Sequence, residues 1–485
     1  MTIKDLDPKI VWNNFYQLTQ IPRPSKHEEK VIEFLLAWGK EHGIETVKDE
    51  TGNIIMRVPA TPGYENRRGV ILQGHMDMVP QKTAETVHDF LTDPISTKIV
   101  DGWVAAEGTT LGADNGIGVA LAMSVLEDKS LEHGPVEVLV TYDEETGMTG
   151  AENLKPGLFS GDIFLNLDSE EEGELCIGCA GGLDATADFE ARYVAVPEGY
   201  EPFRIVIKGL HGGHSGMDIT MYPCNANKSL ARVLEPLTEK LGVKVADLKG
   251  GSLRNAIPFE SEALVFVPAG NVGKAEALVE GIFADIKFEY QHTDPDAEFH
   301  FDGVRSDVKE YIEEGVMRNV IKSILGCPNG VYRMSDTFEG LPETSTNLAI
   351  VRHENGHIYV KSLMRSSIDA AKLFLADQMR AVFELAGAKF TTSGGYNGWT
   401  PKPETPVYEV VRQVWKDLTG NEMKMGATHG GLECALLGAK YPNWEMVSVG
   451  PTIVHPHSPD ERVKIDTVAT AWEYLKRLLV AVPEK

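Results

Sequence analysis

The chain has 485 residues, too many for one hydrophobic core, so we expect two or more domains. Its 42% hydrophobic and 24% charged residues are ordinary for a globular protein and exclude wholesale disorder. The 46 basic and 72 acidic residues give a net charge of −26, which repels nucleic-acid phosphates and anionic lipid headgroups, so neither is expected as a partner.

The first residues, MTIKDLDPKIVWNNFYQLTQ, lack a basic stretch followed by an apolar core, so we expect no secretory signal. Apolar stretches such as GVALAMSVL at 118–126 are shorter than the roughly 18–20 residues of a membrane-spanning helix. The 5 cysteines are an odd number spread thinly along the chain, which favours reduced thiols. We therefore expect a cytoplasmic protein without a membrane anchor.

Helix and strand patterns alternate over the first part of the chain. The spacing of apolar residues predicts a helix in VIEFLLAWGKEHGI at 31–44 and a strand in GVILQGH at 69–75. A buried helix is expected in NGIGVALAMSVLED at 115–128, and buried strands in VEVLVTYD at 136–143 and DIFLNLD at 162–168. Strands separated by helices predict a mostly parallel central sheet flanked by helices.

The pattern changes near residue 186. Strand patterns in FRIVIKG, EALVFVP and HIYVKSLMRSS alternate with helix patterns in NANKSLARVLEPLTEKL and AEALVEGIFADIK, which is typical of an α+β domain. From residue 397 the first character returns, with a helix in YEVVRQVWKDLTG, a strand in EMVSVG and a last helix in VATAWEYLKRLLVAV. We therefore predict an α/β domain formed by 1–186 and 397–485, interrupted by an inserted α+β domain at 187–396.

Two candidate metal ligands lie at the end of the first strand and the start of the buried helix. His75 follows VILQG directly, and Asp77 projects to the same side, where it can hold the second ring nitrogen of the histidine. Asp114 lies in GTTLGADNGIG, where flanking glycines allow a close approach of the backbone. Taken alone, Asp114 is better explained as an ordinary helix N-cap, since a predicted helix follows at once.

Further carboxylates follow the buried strands. Glu144 and Glu145 belong to DEETG, where three consecutive carboxylates are costly unless a cation compensates them. Neighbouring residues on a strand point to opposite sides, so one can bind a metal while the other faces a bound water. Asp168 closes the strand DIFLNL. In a parallel sheet such strand ends gather at one edge.

The segment GPTIVHPHSPDERV supplies a further histidine from the far end of the chain. Prolines on either side restrict the backbone around His457, the candidate, although spacing alone does not decide between it and His455. Two imidazoles with three or four carboxylates suit zinc, whose bound water is acidified towards a pKa of ~7. We predict two zinc ions, for which manganese or cobalt are possible substitutes.

Several motifs resemble the co-catalytic zinc peptidases, the family that includes carboxypeptidase G. They run through essentially the whole chain and are IPRPSKHEE, LQGHMDMVPQK, GTTLGADNGIG, EETGMTGA, DSEEEGEL, GGHSG and GPTIVHPHSPDERV. The resemblance is greatest to members that cleave aminoacyl-histidine dipeptides. It implies a catalytic zinc domain and an inserted lid domain through which subunits pair as a homodimer.

The resemblance also implies a set of metal ligands. Asp114 would bridge the two ions, His75 and Asp168 would complete one site, and Glu145 and His457 would complete the other.

Catalytic roles follow from the same resemblance. Glu144 would be the general base and Asp77 would orient His75. The resemblance further implies a cis peptide bond between Asp114 and Asn115.

Residues of the inserted domain complete the expected site. His214 in GLHGGHSG matches a family histidine that reaches the partner subunit's active site and stabilises the oxyanion. Asn255 and Arg365 match positions that hold the substrate, and the planar fork of Arg365 suits a free carboxylate. Gly430, in the turn THGGLECALLG, lies ahead of a predicted helix whose free amides can receive a carboxylate, although plain helix initiation explains it nearly as well.

The expected activity is hydrolysis of dipeptides with a free amino end, of broad specificity and often with histidine second. The histidine preference comes from the resemblance alone. One alternative is a deacylase of N-acyl amino acids, which would use the same metals and base. Another is a non-catalytic, metal-dependent binding protein, against which Glu144 argues because such a protein needs no base.

Overall fold

The computed structural model describes residues 2–401 and 404–485. Within that part of the chain, no helix is long and apolar enough to cross a bilayer. The helices are α1 (Lys9–Thr19), α2 (Glu29–Glu41), α3 (Ala113–Glu127), α4 (Glu144–Gly147), α5 (Thr149–Asn153), α6 (Ala226–Leu241), α7 (Val272–Glu289), α8 (Glu314–Gly326), α9 (Asp369–Leu385), α10 (Pro406–Thr419), α11 (Glu433–Lys440) and α12 (Ile465–Ala481).

The strands are β1 (Glu45–Lys48), β2 (Ile54–Val58), β3 (Val70–His75), β4 (Thr97–Val100), β5 (Trp103–Ala106), β6 (Val136–Thr141), β7 (Ile163–Asn166), β8 (Glu174–Cys179), β9 (Gly181–Glu190), β10 (Tyr193–Ala195), β11 (Tyr200–Lys208), β12 (Lys244–Gly250), β13 (Ser261–Pro268), β14 (Glu298–Gly303), β15 (Glu310–Ile312), β16 (Gly330–Met334), β17 (Pro342–Glu354), β18 (His357–Ser366), β19 (Lys389–Tyr396), β20 (Lys424–Thr428), β21 (Glu445–Ser448), β22 (Ile453–Val454) and β23 (Arg462–Lys464).

The chain divides into two compact units, and the second is inserted into the first. Unit 1 comprises Met1–Gly178, Pro401–Ala427 and Leu432–Lys485, and unit 2 comprises Cys179–Thr400 and Thr428–Gly431. The boundary placed at 186/187 from the sequence falls inside β9, whose whole length pairs with β18. Because these hydrogen bonds keep β9 in one piece, the structural division lies before this strand.

Unit 1 is built on an eight-stranded sheet in the order β1-β2-β6-β3-β7-β21-β8-β20. The central strands β6, β3, β7 and β21 run parallel to one another, whereas β1, β2 and β8 pair antiparallel. Residues 136–141 of β6 and 70–75 of β3 are buried throughout, as expected for parallel strands covered on both faces. The predicted α/β class is confirmed, with antiparallel strands added outside the parallel centre.

The helix α3 is buried along nearly its whole length, as its continuous apolar sequence predicts. Its first residue is Ala113, after Gly112 in the left-handed conformation with φ of 70°. Asp114 and Asn115 have non-helical φ/ψ angles, so the regular helix begins beyond them. A Cβ at Gly112 would lie 2.6 Å from Arg23 Nη2 and 2.8 Å from Met78 Sδ, so both the conformation and the space require glycine. The turn at Gly112 orients the backbone that carries Asp114.

Unit 2 is an α+β unit with an antiparallel sheet in the order β14-β11-β13-β12-β17-β18-β9-β19 and β16 beside β17. Apolar residues of this sheet share one core with α6, α7, α8 and α9. The start of α6 follows from its sequence, because the Asn225 side chain accepts a hydrogen bond from Lys228 N. The same helix ends at Gly242, which takes a left-handed φ of 69°.

Candidate active site

Reactive side chains of unit 1 gather where its central strands end. His75 is the last residue of β3, Glu144 and Glu145 follow β6, and Asp168 lies just beyond β7. These strands are neighbours in the order β6, β3, β7, and they run parallel. Their carboxyl ends therefore meet at one edge of the sheet, which is where parallel sheets place reactive groups.

Asp114 lies between two histidines at this edge. Its Oδ1 is 3.0 Å from His75 Nε2, and its Oδ2 is 3.0 Å from His457 Nε2. Asp168 Oδ1 lies 3.5 Å from His75 Nε2, and Glu145 Oε2 lies 3.0 Å from His457 Nε2. The five side chains thus form two adjoining donor clusters that share the carboxylate of Asp114.

Each donor cluster has the chemistry of a divalent-metal site. One imidazole nitrogen and two carboxylate oxygens are ligands that zinc accepts at ~2.0–2.2 Å, which spaces donors on a tetrahedral ion by ~3.4 Å. The separations of 3.0 to 3.5 Å in the two clusters are close to that spacing. Glu145 Oε1, moreover, is buried without a hydrogen-bond partner among residues 2–401 and 404–485. The residues present therefore fit a pair of divalent cations.

The crowding of carboxylates shifts their pKa values. Burial alone would raise the pKa of Asp114, but hydrogen bonds with His457 and His75 hold it below its ordinary value. Burial, together with the charge of Asp114, raises the pKa of Glu145 to about 7, and burial raises that of Asp168 to about 6. Burial opposes the charged form of His457, yet its hydrogen bonds to Asp114 and Glu145 raise its pKa to about 11. The raised pKa values mean that these side chains hold protons, which offset the negative charge of the carboxylates. A bound cation would offset that charge in place of the protons.

Asp77 connects one histidine to the acidic pair after β6. Its Oδ1 lies 3.3 Å from His75 Nδ1 and also accepts a hydrogen bond from the backbone N–H of Glu144 at 3.0 Å. Its Oδ2 accepts from the backbone N–H of Glu145 at 3.2 Å and from Ser25 Oγ at 2.8 Å. The sequence predicted the contact with His75 but not the support for Glu144 and Glu145.

Glu144 begins the short helix α4, which turns sharply away from β6. Asp143 takes a left-handed φ of 50° just before it, and its carboxylate accepts hydrogen bonds from the hydroxyls of Thr146 and Thr149. Glu144 itself is partly buried. Burial and the neighbouring charge of Glu145 raise its pKa well above the ordinary value, against the opposing effect of His75.

The structure brings His457, and not His455, to Asp114. Both residues have positive φ, 60° and 54°, in the turn between β22 and β23. Both side chains are exposed, but the imidazole of His457 lies 3.0 Å from Asp114 Oδ2. The expected cis peptide bond between Asp114 and Asn115 is also present.

Glu461 and Arg23 support the start of α3 and were not singled out from the sequence. The Glu461 carboxylate accepts hydrogen bonds from backbone N–H groups of residues 111–114. Arg23 is buried and donates to the carbonyl oxygens of Met76, Asp77 and Gly112. The two carboxylate oxygens of Asp114 face His75 and His457. The one signal in the sequence was that both charged residues lie within motifs of the resemblance, in SPDER and IPRPS.

A buried polar ladder crosses the central strands beneath the donor clusters. Its members are Ser448, Asn166, Gln73, Thr141 and Glu433, and each donates a side-chain hydrogen bond to the next. Glu433 is 1% exposed and ends the ladder as its acceptor, and burial raises its pKa to about 8. Because alternate strand residues share a face, Gln73 and Asn166 lie directly below His75 and Asp168.

Within unit 2, the predicted substrate residues lie around one loop. Arg365 Nη2 is 3.3 Å from His214 Nε2, and Arg365 Nε donates to Ser215 Oγ at 3.3 Å. The carbonyl oxygen of Asn255 accepts from Ser215 N at 2.8 Å. Gly430 lies against Gly216, the residue after Ser215, because a Cβ placed at Gly216 would be 3.3 Å from the Cα of Gly430. The structure thus brings together all four residues of unit 2 that the sequence proposed.

Arg365 is a buried cation, with 5% of its surface exposed. Within the described residues, its guanidinium contacts Ser215 Oγ and His214 Nε2 rather than a carboxylate. A buried guanidinium without an acidic partner is costly, and a bound carboxylate would relieve that cost.

Comparison with known proteins places these features in a family. Residues 71–481 match the model of peptidase family M20/M25/M40. The chain is 43% identical to the cytosol non-specific dipeptidase of Escherichia coli strain K12 over 100% of its own length and 99% of that protein. It superposes on the aminoacylhistidine dipeptidase of Vibrio alginolyticus with a TM-score of 0.87 and 44% identity, covering 100% of this chain and 99% of the other. Aminopeptidase PepT from Bacillus cereus, at 15% identity and a TM-score of 0.57 over 98% and 99% of the chains, is similar in fold.

Proposed function

The chain belongs to peptidase family M20/M25/M40, and from that premise we propose that it is a dipeptidase that works with two divalent cations, zinc by preference. One observation carries the proposal. The two oxygens of Asp114 face different histidines, with Asp168 beside the first and Glu145 beside the second. A carboxylate shared in this way suits a pair of cations.

We assign the five donor residues to two cation sites. His75, Asp168 and Asp114 would hold one ion, and His457, Glu145 and Asp114 would hold the other. When bound, the cations would supply positive charge that acidifies water and polarises the scissile carbonyl. Imidazole with carboxylate favours zinc, and manganese or cobalt would be accepted by the same donors.

Glu144 is proposed as the general base. Its carboxylate would take a proton from the attacking water and deliver it to the leaving amine. Two observations support this role: Glu144 is adjacent to the proposed ligand Glu145 in one turn, and burial raises its pKa towards the working range of a proton acceptor. Asp77 would keep that turn and the imidazole of His75 in fixed positions.

Residues of unit 2 are proposed to hold the substrate. Arg365 would bind the terminal carboxylate of the dipeptide, and its buried, unneutralised guanidinium supports this role. His214 would donate a hydrogen bond to the oxygen that becomes negative in the transition state. Asn255 and Gly430 are proposed as further contacts of the substrate. We further propose that the protein is a homodimer paired through unit 2, in which His214 serves the partner subunit's site.

The substrate is proposed to be a dipeptide with a free amino end, including Xaa-His sequences. Support comes from full-length similarity to proteins named a cytosol non-specific dipeptidase and an aminoacylhistidine dipeptidase, at 43% and 44% identity. The first of these names also supports a cytoplasmic location.

Hydrolysis of a dipeptide panel tests this proposal. We expect an Xaa-His dipeptide to be cleaved much faster than its N-acetyl derivative, and we expect a chelator to abolish both rates. Faster cleavage of the N-acetyl derivative would identify a deacylase instead. Binding of either compound without turnover, by a chain loaded with metal, would identify a binding protein.

A further inference from the structure

Glu461 ties the last loop of unit 1 to the start of α3. Its two oxygens accept hydrogen bonds from the backbone N–H groups of residues 111–114 at 2.7 to 3.1 Å. These four N–H groups belong to the turn that leads into the regular part of α3, because Asp114 and Asn115 have non-helical φ/ψ angles. Backbone N–H groups buried without a hydrogen-bond partner are costly, so the turn needs an acceptor. Gly112, at the N-cap position, has no side chain to serve them. The acceptor for this turn therefore comes from the opposite end of the chain.

Glu461 belongs to the turn that carries His457. This turn joins β22 to β23, and its closing contact is the hydrogen bond from Glu461 N to the carbonyl oxygen of Ser458 at 3.1 Å. His457 has a φ of 60°, a left-handed conformation that non-glycine residues keep only where the surroundings impose it. Anchoring of Glu461 to α3 supplies such a constraint.

The same carboxylate thereby fixes two separate residues of the proposed site. One of its hydrogen bonds comes from the backbone N–H of Asp114, at 3.1 Å, and Glu461 lies in the same short turn as His457. Asp114 Oδ2 and His457 Nε2 are 3.0 Å apart, although the residues are far apart in sequence. With 1% of its surface exposed, Glu461 makes these bonds away from water, where charge-assisted hydrogen bonds are strong.

We propose that Glu461 is a positioning residue of the two-cation centre, which holds the carboxylate of Asp114 and the imidazole of His457 at the separation that a shared cation requires. The inference rests on the proposed function, because it presupposes cations at Asp114. Its consequence is that Glu461 sets the affinity of the centre for metal without touching the metal.

The test compares zinc affinity in the full-length wild-type chain and in Glu461→Gln, measured by competition with a chromogenic chelator after the metal has been stripped. Glutamine keeps the size of the side chain, but its NH2 group cannot accept hydrogen bonds and would face backbone N–H groups that also donate. Loss of a group that orients metal ligands typically weakens metal binding about 10–100-fold, and we expect at least a tenfold loss at the more affected site.

Glu137→Gln is the matched control. Glu137 is 4% exposed and accepts hydrogen bonds from the backbone N–H groups of Ser160 and Gly161 at 2.9 and 2.7 Å. It lies near the start of β6, whereas the proposed site lies beyond the other end of this strand. Both variants are expected to lower the thermal stability of the metal-free chain. Only Glu461→Gln is expected to weaken zinc binding.

Zinc affinity of Glu461→Gln within about twofold of wild type would overturn the inference, whatever its thermal stability. If this variant does not give soluble protein, Glu461→Asp decides the question, since it keeps the charge but retracts it by one methylene. A tenfold loss is again expected, and wild-type affinity is the contradicting result. If the wild-type chain binds no zinc, the proposed function and this inference both fail. If the wild type binds two zinc ions and the Glu461 variant binds them with unchanged affinity, only this inference fails.

Discussion

Asn166 Nδ2 donates a hydrogen bond to Gln73 Oε1 at 2.6 Å, and this bond joins β7 to β3 directly beneath Asp168 and His75. Both side chains are completely buried, so neither amide can turn to water instead. Two ligands proposed for the same cation are therefore held by strands that are linked through their side chains as well as their backbones.

Replacing Asn166 with leucine should destabilise unit 1. The change leaves Gln73 Oε1 and the hydroxyl of Ser448 buried without their partner, at about 1–3 kcal/mol each, so we expect a total loss of about 2–6 kcal/mol. Urea unfolding of the metal-free chain measures it. Asn13→Leu, on the exposed side of α1, is the control, and an equal effect of the two substitutions would contradict the ladder's role.

Glu144→Gln should separate catalysis from metal binding. The amide cannot accept the proton of the attacking water, so we expect kcat to fall by about 10²–10⁴ while roughly two zinc ions remain bound. Steady-state kinetics and metal analysis on the same preparation measure both. Glu152→Gln, an exposed carboxylate on α5, should leave kcat unchanged. Full turnover by Glu144→Gln would show that another group is the base.

Arg365→Lys should weaken recognition of the terminal carboxylate. Lysine keeps the charge but loses the planar fork, and we expect KM to rise about 10-fold or more for a free dipeptide. The corresponding dipeptide amide has no carboxylate and should respond little to the substitution. A parallel rise in KM for both compounds would indicate a structural role for Arg365 instead.

His429 should make stability depend on pH. Its Nε2 lies 2.7 Å from Ser345 Oγ, and burial, followed by the charge of Arg365, lowers its pKa to about 3 from 6.5. Between these values the unfolded chain binds the proton and the folded chain does not, so stability falls as pH decreases from 6.5 towards 3.

Removing His429 should therefore flatten this pH dependence. At pH 5 the protonation of the unfolded state costs the wild type about 2 kcal/mol, a cost that His429→Gln does not have. Hence the stability difference between wild type and variant should be smaller at pH 5 than at pH 7, as measured by urea unfolding with chelator present. His292 is an exposed histidine of unit 2, and for His292→Gln the stability difference from wild type should be the same at both pH values. If the difference for His429→Gln is also the same at pH 5 and pH 7, the buried imidazole is not neutral.

The elements that the sequence predicts correctly are those with a local pattern of apolar residues. Apolar runs located β3, β6 and β7, and their parallel arrangement then placed His75, Glu145 and Asp168 at one edge. The resemblance to zinc peptidases supplied the choice of His457, which spacing had left open.

The support around these residues was not predicted, because it depends on contacts distant in sequence. Glu461 and Arg23 look like ordinary surface charges within their motifs, and only the fold shows that they are buried against the turn at Gly112. Similarly, the boundary of unit 2 depends on the pairing of β9 with β18, which no local periodicity reports.

Anomalous diffraction at the zinc absorption edge, on crystals of the chain loaded with zinc, shows whether two cations share the Asp114 carboxylate. We expect two peaks, one on each side of the Asp114 carboxylate, the first next to His75 and Asp168 and the second next to His457 and Glu145. A single peak at this carboxylate, or peaks elsewhere in the molecule with none at Asp114, would contradict this expectation.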